Sequence, residues 1–312
     1  MSPASPLPLP VVLAGPTGIG KSAVALAMAE RLGGEIICGD SRQVYEGMCI
    51  GAAGPTREEQ ERVPHVGYHV VPPEKAYDAG HFWQDTDRYI ADVQARGRFP
   101  IIVGGTGLYL RIWRYGLSDV PPKDDAIRMR LEDDVAKGRL ADLYQRLLQI
   151  DPEAASAIEE QDSVRIVRAL EIWELTGQKP SALRKSHGGR PPRQSAHWFL
   201  LDADMGWLEK RLHHRAKQMF DTGLVAESEA LVKRLGEEHT LSKTMGYREA
   251  YAFAQKQMSF DDALERTFRR QRQYAKRQRT WFRKETWWSC FAPETENLVE
   301  LLVNRVRSGA SA

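Results

Sequence analysis

The sequence predicts an α/β fold: a P-loop core, with a parallel sheet flanked by helices, plus an inserted all-helical domain. Residues 15–22 read G-P-T-G-I-G-K-S, and they follow an apolar run and precede a helix-like run. Short apolar runs alternate with longer helical ones through the first third of the chain, which is the rhythm of a doubly wound parallel sheet. From Pro121 onward only helical patterns follow, until a strand-like run returns at 196–201.

Each element follows from its local pattern. Short apolar runs predict strands at 11–14, 35–38 and 100–103, and helical periodicity predicts helices over 21–32 and 79–97. Further helices are predicted over 124–137, 140–149 and 163–175, followed by a loop at 185–193 that contains Gly and Pro. The simplest division is a helical domain at 118–195, inserted into an α/β core made of 1–117 and 196–312.

The glycine-rich stretch has the pattern G-x-x-x-x-G-K-S between a strand and a helix. Glycines let backbone N–H groups converge on phosphate oxygens, and the helix N-terminus adds the positive end of its dipole. In this pattern the lysine neutralises the terminal phosphate and the serine hydroxyl holds a magnesium ion. The stretch therefore predicts a di- or triphosphate ligand, with Mg²⁺ as cofactor. Its members are Gly15, Pro16, Thr17, Gly18, Ile19, Gly20, Lys21 and Ser22.

Two polar residues follow predicted strands at the edge where ligands of such sheets bind. Asp40 comes just after the strand at 35–38, and Thr106 follows the strand at 100–103 and two glycines. Because groups beyond the carboxyl ends of parallel strands face the ligand crevice, both are candidate site residues. Each also has a structural interpretation: Asp40 suits the N-cap of a helix, and the glycines before Thr106 suit a plain turn.

Three charged residues further along have weaker patterns. Asp202 ends the apolar run at 199–201 and resembles a Walker B aspartate, but we interpret it as part of a surface turn. Arg211 and Arg215 lie four residues apart and share one helix face. Guanidinium groups match phosphate oxygens in a bidentate way, so this pair suits a diphosphate, although exposed arginines at this spacing are also common.

The net charge is only +2, but it is unevenly distributed. Residues 266–284 contain nine Lys or Arg and no acidic residue, with aromatic residues between them. Helical spacing places Arg266, Arg270, Gln273 and Arg277 on one stripe. A solvated helix normally mixes both signs of charge. Without an anionic partner these cations would repel one another, so the run predicts binding to nucleic-acid phosphate.

Composition excludes several classes of protein. The chain has 312 residues, 42% apolar and 28% charged, as in ordinary globular proteins. No apolar run is long enough for a membrane span, and the first residues lack the features of a signal peptide. Cys38, Cys49 and Cys290 are scattered, which disfavours zinc sites and disulfides. We expect a cytoplasmic protein without a membrane partner.

Together these segments closely resemble the bacterial tRNA dimethylallyltransferases (tRNA isopentenyltransferases, the IPP transferase family). The resemblance rests on residues 15–22 and on D-S-R-Q-V-Y at 40–45, I-I-V-G-G-T-G-L-Y at 101–109 and R-I-V-R-A-L-E at 165–171. It continues with G-Y-R at 246–248 and A-K-R-Q-R-T-W-F-R at 275–283. The motifs occur in the family's order and cover nearly the whole chain.

The resemblance implies transfer of a dimethylallyl group from dimethylallyl diphosphate to N6 of the adenosine 3′ of the anticodon, with release of diphosphate. The partners would be the tRNA anticodon stem-loop and the donor, and we expect a monomer. Asp40, Thr106 and Lys21 would be catalytic, Asp40 as the group that takes the proton from the adenine amine. Residues 15–22 would hold the diphosphate, without any need for a nucleotide.

The resemblance also implies residues that contact tRNA. Two of them, Thr106 and Arg128, match positions that touch the flipped-out nucleotide. The complete set is Asp40, Ser41, Arg42, Gln43, Thr106, Arg128, Asp162, Ser163, Val164, Arg165, Ile166, Thr244, Met245, Gly246, Tyr247, Arg248, Glu249, Gln271, Arg272, Gln273, Tyr274, Ala275, Lys276, Arg277 and Gln278.

Two other classes of protein use the same phosphate loop. A small-molecule kinase would bind ATP there, but it should also show a Walker B aspartate and an arginine-bearing lid, and it would not need the basic run at 266–284. A noncatalytic RNA-binding NTPase would leave Asp40 and Thr106 without a role.

Overall fold

The computed structural model of the chain describes residues 7–117, 120–187 and 191–309. It divides into two compact units: Met1–Arg114 together with Gln194–Ala312, called the core unit below, and Tyr115–Arg193, called the insertion unit. The insertion predicted from the sequence spans 118–195.

The core unit contains one six-stranded sheet in which every pairing is parallel. Its strands are β1 (Val11–Ala14), β2 (Gly34–Cys38), β3 (His65–Val66), β4 (Phe99–Gly104), β5 (His197–Leu201) and β6 (Ser289–Phe291), in the spatial order β3-β2-β4-β1-β5-β6. This confirms the predicted α/β class. The strands predicted at 11–14, 35–38, 100–103 and 196–201 are β1, β2, β4 and β5, whereas the short strands β3 and β6 were not predicted.

The helices, in chain order, are α1 (Lys21–Leu32), α2 (Arg57–Arg62), α3 (Ala79–Ala95), α4 (Gly107–Tyr115), α5 (Asp125–Ala136), α6 (Leu140–Ile150), α7 (Pro152–Ser156), α8 (Ser163–Thr176), α9 (Pro180–His187), α10 (Met205–Asp221), α11 (Leu224–Leu235), α12 (Tyr247–Ala254), α13 (Phe260–Phe282) and α14 (Leu298–Arg307). The basic run at 266–284 forms most of α13. None of the helices in the described part of the chain is long and apolar enough to cross a membrane.

Strand β1 lies at the centre of the sheet and all four of its residues are buried. Because side chains alternate along a strand, Val11 and Leu13 face one apolar layer and Val12 and Ala14 face the other. The first layer contains residues of α1 and α14, and the second contains residues of α3 and α4. This burial on both faces fixes the end of β1, from which the glycine-rich loop starts.

Asp87 of α3 hydrogen-bonds to the two segments of the core unit that precede and follow the insertion unit. Its Oδ1 accepts hydrogen bonds from Trp113 Nε1 at 2.9 Å and from Gln194 Nε2 at 3.3 Å. Trp113 precedes the insertion unit and Gln194 follows it. Within the insertion unit, a Cβ on Gly116 would lie 3.1 Å from Arg193 Cδ, so its two ends are adjacent.

The insertion unit has its own apolar core. Leu131 of α5, Leu147 of α6, and Ile166 and Leu170 of α8 are buried together. The helices predicted over 124–137, 140–149 and 163–175 are α5, α6 and α8. The short helix α7 was not predicted, and α9 extends into the predicted loop at 185–193.

Candidate active site

The glycine-rich loop connects β1 to α1, as the motif predicts. Its geometry requires two of its glycines. A Cβ on Gly15, whose φ is +155°, would meet Leu201 O at 2.6 Å. A Cβ on Gly18, whose φ is +81°, would meet the Leu212 side chain at 2.7 Å. The loop is therefore enclosed by the end of β5 and by α10, and only glycine allows this close approach.

Lys21 is half-buried at the N-terminus of α1. Its Nζ donates to Gly15 O and Pro16 O, each at 3.0 Å. Burial lowers the pKa of Lys21 to about 8, an effect that nearby Asp40 opposes and nearby Arg215 reinforces. The amine is thus a charged donor near neutral pH that loses its proton more readily than an exposed lysine.

Both arginines predicted to bind diphosphate reach the loop from α10. Arg215 donates to the Thr17 hydroxyl, and Arg211 Nε donates to Gly18 O at 3.0 Å. Burial lowers the pKa of Arg215 to about 10, while Asp40 opposes the shift. Arg215 therefore remains a cation at neutral pH and adds to the positive potential that Lys21 creates at the loop.

Asp40 follows β2 and begins a series of turns. Its Oδ1 accepts from Arg42 N at 2.9 Å. No helix starts there, since the next one is α2 at Arg57, so the N-cap interpretation of Asp40 is wrong. The carboxylate instead closes a turn on its own backbone and lies within electrostatic reach of Lys21 and Arg215.

Thr106 joins two strand-end loops. Its Oγ1 accepts from Ser41 N at 3.1 Å, which ties the loop after β4 to the loop after β2. Tyr274 of α13 hydrogen-bonds to the Thr106 side chain, and burial together with Asp40 raises the pKa of Tyr274 well above its ordinary value. The phenol therefore stays neutral and can act as a donor beside Asp40.

Asp202 follows β5, the strand next to β1, and is not simply part of a surface turn. It accepts from Arg279 Nε at 2.6 Å and from Arg283 Nη2 at 3.1 Å. Our surface-turn interpretation is wrong because the two arginines of the basic run bring α13 onto this strand end. The carboxylate of Asp202, which follows a strand paired with β1, is therefore already occupied by these two arginines.

The basic run is less unbalanced than the sequence indicated. Five of its nine cations form ion pairs with acidic residues outside the run: Arg269 with Glu265, Arg270 with Glu249, Arg272 with Glu209, and both Arg279 and Arg283 with Asp202. Mutual repulsion therefore does not apply to these five. Among the described residues, Arg266, Lys276, Arg277 and Lys284 form no ion pair, and these are the cations available to an external anion.

Burial divides the residues predicted to contact tRNA. Neighbouring residues of a helix point to different faces, so a continuous run of predicted contact residues contains both buried and exposed side chains. The members of these segments that are buried in this structure are Ile166, Gly246, Tyr247, Glu249, Gln271, Ala275 and Gln278. Exposed positions in the same segments are Val164, Arg165, Arg248, Arg272, Gln273, Lys276 and Arg277.

Arg128 lies in the insertion unit, where it is held by Glu171. Its Nη2 is 3.0 Å from Glu171 Oε2, which also accepts from Arg168 Nη1 at 2.8 Å. Glu171 is fully buried and accepts from Asp124 N as well. Burial alone would raise the pKa of Glu171, but the hydrogen bonds from Arg168, Arg128 and Asp124 hold it below its ordinary value.

One cavity of about 1130 Å³ in the core unit brings together about half of the predicted site residues. Thr106 is not among the lining residues but contacts Ser41 and Tyr274, which are. The predicted residues that line it are Thr17, Gly18, Gly20, Lys21, Ser22, Asp40, Ser41, Arg42, Gln43, Arg211, Arg215, Thr244, Met245, Gln273, Tyr274, Arg277 and Gln278.

Sequence reasoning missed further polar residues of this cavity. Lys210 and His214 of α10 line it beside Arg211 and Arg215, and Lys243 lines it as well. The spacing of Lys210 and His214 on the same helix face as the arginines was a usable signal. Gln43 has an additional role, since its Nε2 donates to Ala52 O at 2.9 Å and to Ala53 O at 2.6 Å and so fixes another part of the wall.

Comparison with known sequences gives a consistent assignment. The family described as IPP transferase matches residues 43–285, and the family described as isopentenyl transferase matches residues 10–66. A tRNA dimethylallyltransferase of Geobacter metallireducens is 43% identical over 280 residues, which cover 88% of this chain and 90% of that protein. One of Anaeromyxobacter sp. is 42% identical over 300 residues, covering 96% and 99%.

Solved structures agree with this. The full-length tRNA isopentenylpyrophosphate transferase of Bacillus halodurans superposes with a TM-score of 0.69 at 32% identity, covering 96% of each chain. A eukaryotic dimethylallyltransferase acting on tRNA gives a TM-score of 0.80 at 25% identity, covering 97% of this chain and 80% of that one. These matches confirm the resemblance found in the sequence: the chain belongs to the IPP transferase family, the family of the tRNA dimethylallyltransferases.

Proposed function

We propose that this protein transfers a dimethylallyl group from dimethylallyl diphosphate to N6 of the adenosine 3′ of the anticodon in tRNA. Family membership supports the class of reaction. The observation that carries the proposal is the single cavity in which Asp40 faces the cationic phosphate loop. A proton acceptor and a diphosphate site side by side are what this transfer requires.

The loop side of the cavity suits the leaving group. As the C1–O bond of the donor breaks, the electron pair goes to diphosphate and negative charge develops on its oxygens. Lys21 and Arg215 are partly buried cations at this point, and the loop amides and the N-terminus of α1 add fixed dipoles. Such preorganised positive groups stabilise the departing anion without reorganisation.

The opposite side suits the adenine. The N6 amine is a poor nucleophile, so a carboxylate that takes its proton while the new N–C1 bond forms accelerates the step. Asp40 is held for this by Arg42 N, and the Thr106–Tyr274 pair lies beside it. The base must leave its stack to reach this cavity, and exposed cations of α13 offer contacts to the RNA backbone.

Magnesium fits this site as a cofactor. The Ser22 hydroxyl lines the cavity at the position that holds Mg²⁺ in phosphate loops. Among the described residues no cluster of three or more His, Cys, Asp or Glu could hold a metal ion, so the remaining ligands would be diphosphate oxygens and water, as Mg²⁺ favours. When bound, Mg²⁺ would neutralise charge on the diphosphate.

A kinase is the second candidate for a phosphate loop, and one observation disfavours it. Asp202, the aspartate whose sequence context resembles a Walker B strand, is paired with Arg279 and Arg283 and is not free for a nucleotide-bound metal. Because one chain supplies the phosphate loop, Asp40 and the cations beside them, we also propose that a monomer is sufficient for activity.

The decisive experiment compares donors. The protein is incubated with radiolabelled dimethylallyl diphosphate or with ATP labelled at its terminal phosphate, each with and without tRNA. We expect label in tRNA only from dimethylallyl diphosphate, with release of diphosphate, and no transfer of phosphate from ATP. Label transferred from ATP would support the kinase instead, and absence of transfer from both would contradict a transferase. Light scattering on a sizing column tests the monomer.

A further inference from the structure

Gln278 makes two hydrogen bonds that link separate loops of the active site. Its Oε1 accepts from Thr17 N in the phosphate loop at 2.8 Å, and its Nε2 donates to Gly105 O, in the loop after β4, at 2.8 Å. The side chain is buried, with 6% of its surface exposed. A residue that shares a motif with exposed cations of α13 thus satisfies two backbone groups of the catalytic loops.

We propose that Gln278 is a positioning residue, a clasp that fixes the phosphate loop relative to the loop carrying Thr106. The proposal rests on the proposed function, since it assigns one loop to the diphosphate and the other to the adenine. The oxygen and the nitrogen of the Gln278 amide each bond to one of the two loops, so neither loop can shift without breaking a buried hydrogen bond. The clasp thereby sets the separation of leaving group and acceptor base, on which transfer depends.

The surroundings of the clasp support this role. A Cβ on Gly105 would lie 2.3 Å from Gln278 Nε2, and a Cβ on Gly107 would lie 2.2 Å from the Trp281 ring. Both glycines therefore accommodate side chains of α13 pressed onto the loop after β4. Arg279 anchors the same turn of α13 to Asp202 at the end of β5. One helical turn thus contacts the ends of three neighbouring strands.

Two substitutions break the clasp from opposite sides. Gln278→Met keeps the length of the side chain but removes both hydrogen bonds. Gly105→Ala adds a methyl group where Gln278 Nε2 now lies and displaces the amide. Thr267→Val is the matched control, because Thr267 is also buried in α13 but belongs neither to the cavity lining nor to the predicted tRNA contacts.

The experiment measures the affinity for inorganic diphosphate by calorimetry, the affinity for tRNA by filter binding, single-turnover transfer at saturating substrates, and thermal melting. We expect Gln278→Met and Gly105→Ala each to weaken diphosphate binding and to slow transfer by about tenfold, the effect of one lost buried hydrogen bond. The double variant should be little worse than either single one, because both remove the same interaction. Affinity for tRNA should be unchanged, and Thr267→Val should alter only the melting temperature.

Two results would overturn the clasp. Weaker tRNA binding by Gln278→Met with unchanged diphosphate binding would make Gln278 a tRNA contact, as its motif implied. A melting shift equal to that of Thr267→Val, with unchanged binding and transfer, would leave Gln278 only a structural role. Failure of the wild-type protein to transfer the prenyl group would contradict the proposed function separately, because binding of inorganic diphosphate requires no transfer.

Discussion

At the scale of single residues, the buried amine of Lys21 makes donor binding sensitive to pH. Its pKa is lowered to about 8, so the amine is charged below that pH and neutral above it. Because an anion binds the charged form, we expect diphosphate affinity to fall as the pH rises above about 8, by up to about tenfold per unit. Calorimetric titrations with inorganic diphosphate measure this directly over a range from about pH 6.5 to about pH 9.5, which lies on both sides of the pKa of Lys21.

Lys21→Ala is the control for this dependence. It should bind diphosphate weakly at every pH, without the alkaline decline, and should abolish prenyl transfer. Its affinity for tRNA should stay nearly intact, since the Lys21 amine donates to the phosphate loop itself and Lys21 is not one of the exposed cations of α13. If tRNA affinity collapsed together with activity, the two substrates would not have separate sites.

Asp40→Asn tests the proton acceptor. The asparagine Oδ1 can still accept from Arg42 N, so we expect the fold and the affinities for both substrates to be preserved. The amide cannot take a proton from N6, and transfer should slow by about 100- to 10,000-fold. Single-turnover transfer at saturating tRNA and dimethylallyl diphosphate measures the loss. Near-wild-type turnover by this variant would remove Asp40 from the mechanism.

Asp40→Ala separates chemistry from structure. It removes the hydrogen bond to Arg42 N as well, so it should lower the melting temperature where Asp40→Asn does not. A local turn bond of this kind is worth about 1 kcal/mol. Equal thermal melts of both variants would show that the bond to Arg42 contributes nothing measurable to the turn.

The residues that could be predicted from sequence are those whose role is local. The phosphate loop is one contiguous segment, and Asp40 and Thr106 follow strands by position alone. The role of Gln278 could not be predicted, because its partner Thr17 is 261 residues away. The pairing of Asp202 with Arg279 and Arg283 could not be predicted either, because these arginines are 77 and 81 residues away.

At the scale of elements, we expect only some cations of α13 to contribute to the salt dependence of tRNA binding. Lys276 and Arg277 are exposed and form no ion pair among the described residues, whereas Arg269 and Arg272 each face a carboxylate. Replacing both Lys276 and Arg277 by Gln should lower the log–log slope of affinity against salt by about 0.7–0.9 for each lost phosphate contact.

The matched control replaces Arg269 and Arg272 by Gln. Each of these cations must leave Glu265 or Glu209 to reach a phosphate, so the change in slope should be smaller. Filter binding over a range of potassium chloride concentrations gives both slopes. Equal slopes for the wild-type protein and the Lys276/Arg277 variant would show that α13 is only a solvated helix.

Glu171 of α8 stabilises the insertion unit through a buried network. Replacing one member of such a network leaves uncompensated charge, so Glu171→Gln should cost roughly 3–5 kcal/mol of local stability by leaving Arg128 and Arg168 unpaired. Because the folded pKa of Glu171 is below its ordinary 4.5, its contribution is present above that pH and is lost as the pH falls through the folded value.

Hydrogen exchange checks this prediction at the level of peptides. Amides of α5 and α8 should exchange faster in Glu171→Gln than in the wild-type protein at neutral pH, and the difference should shrink in acid. Amides of β1 and β4, in the core unit, serve as an internal reference. Unchanged exchange in α5 and α8 would contradict a stabilising role for the Glu171 network.

At the scale of the whole molecule, the sequence predicted the sheet class and its four principal strands because each is a compact apolar run. Strands β3 and β6 are two and three residues long and only partly buried, so they leave no periodic signal. Neither the spatial order of the strands nor the docking of α13 on their ends could be predicted, because both depend on contacts between distant segments.

The strand order has a consequence for how the protein is made. On the ribosome β1, β2, β3 and β4 emerge first, but β1 receives its second neighbour, β5, only after the whole insertion has been synthesised. Until then the strand that will be most deeply buried is an open apolar edge, the type of surface on which nascent chains mispair. The insertion, with its separate core, can complete its own folding during this interval. The demand for chaperones should therefore peak before residue 197 emerges and should fall once β5 has closed the edge.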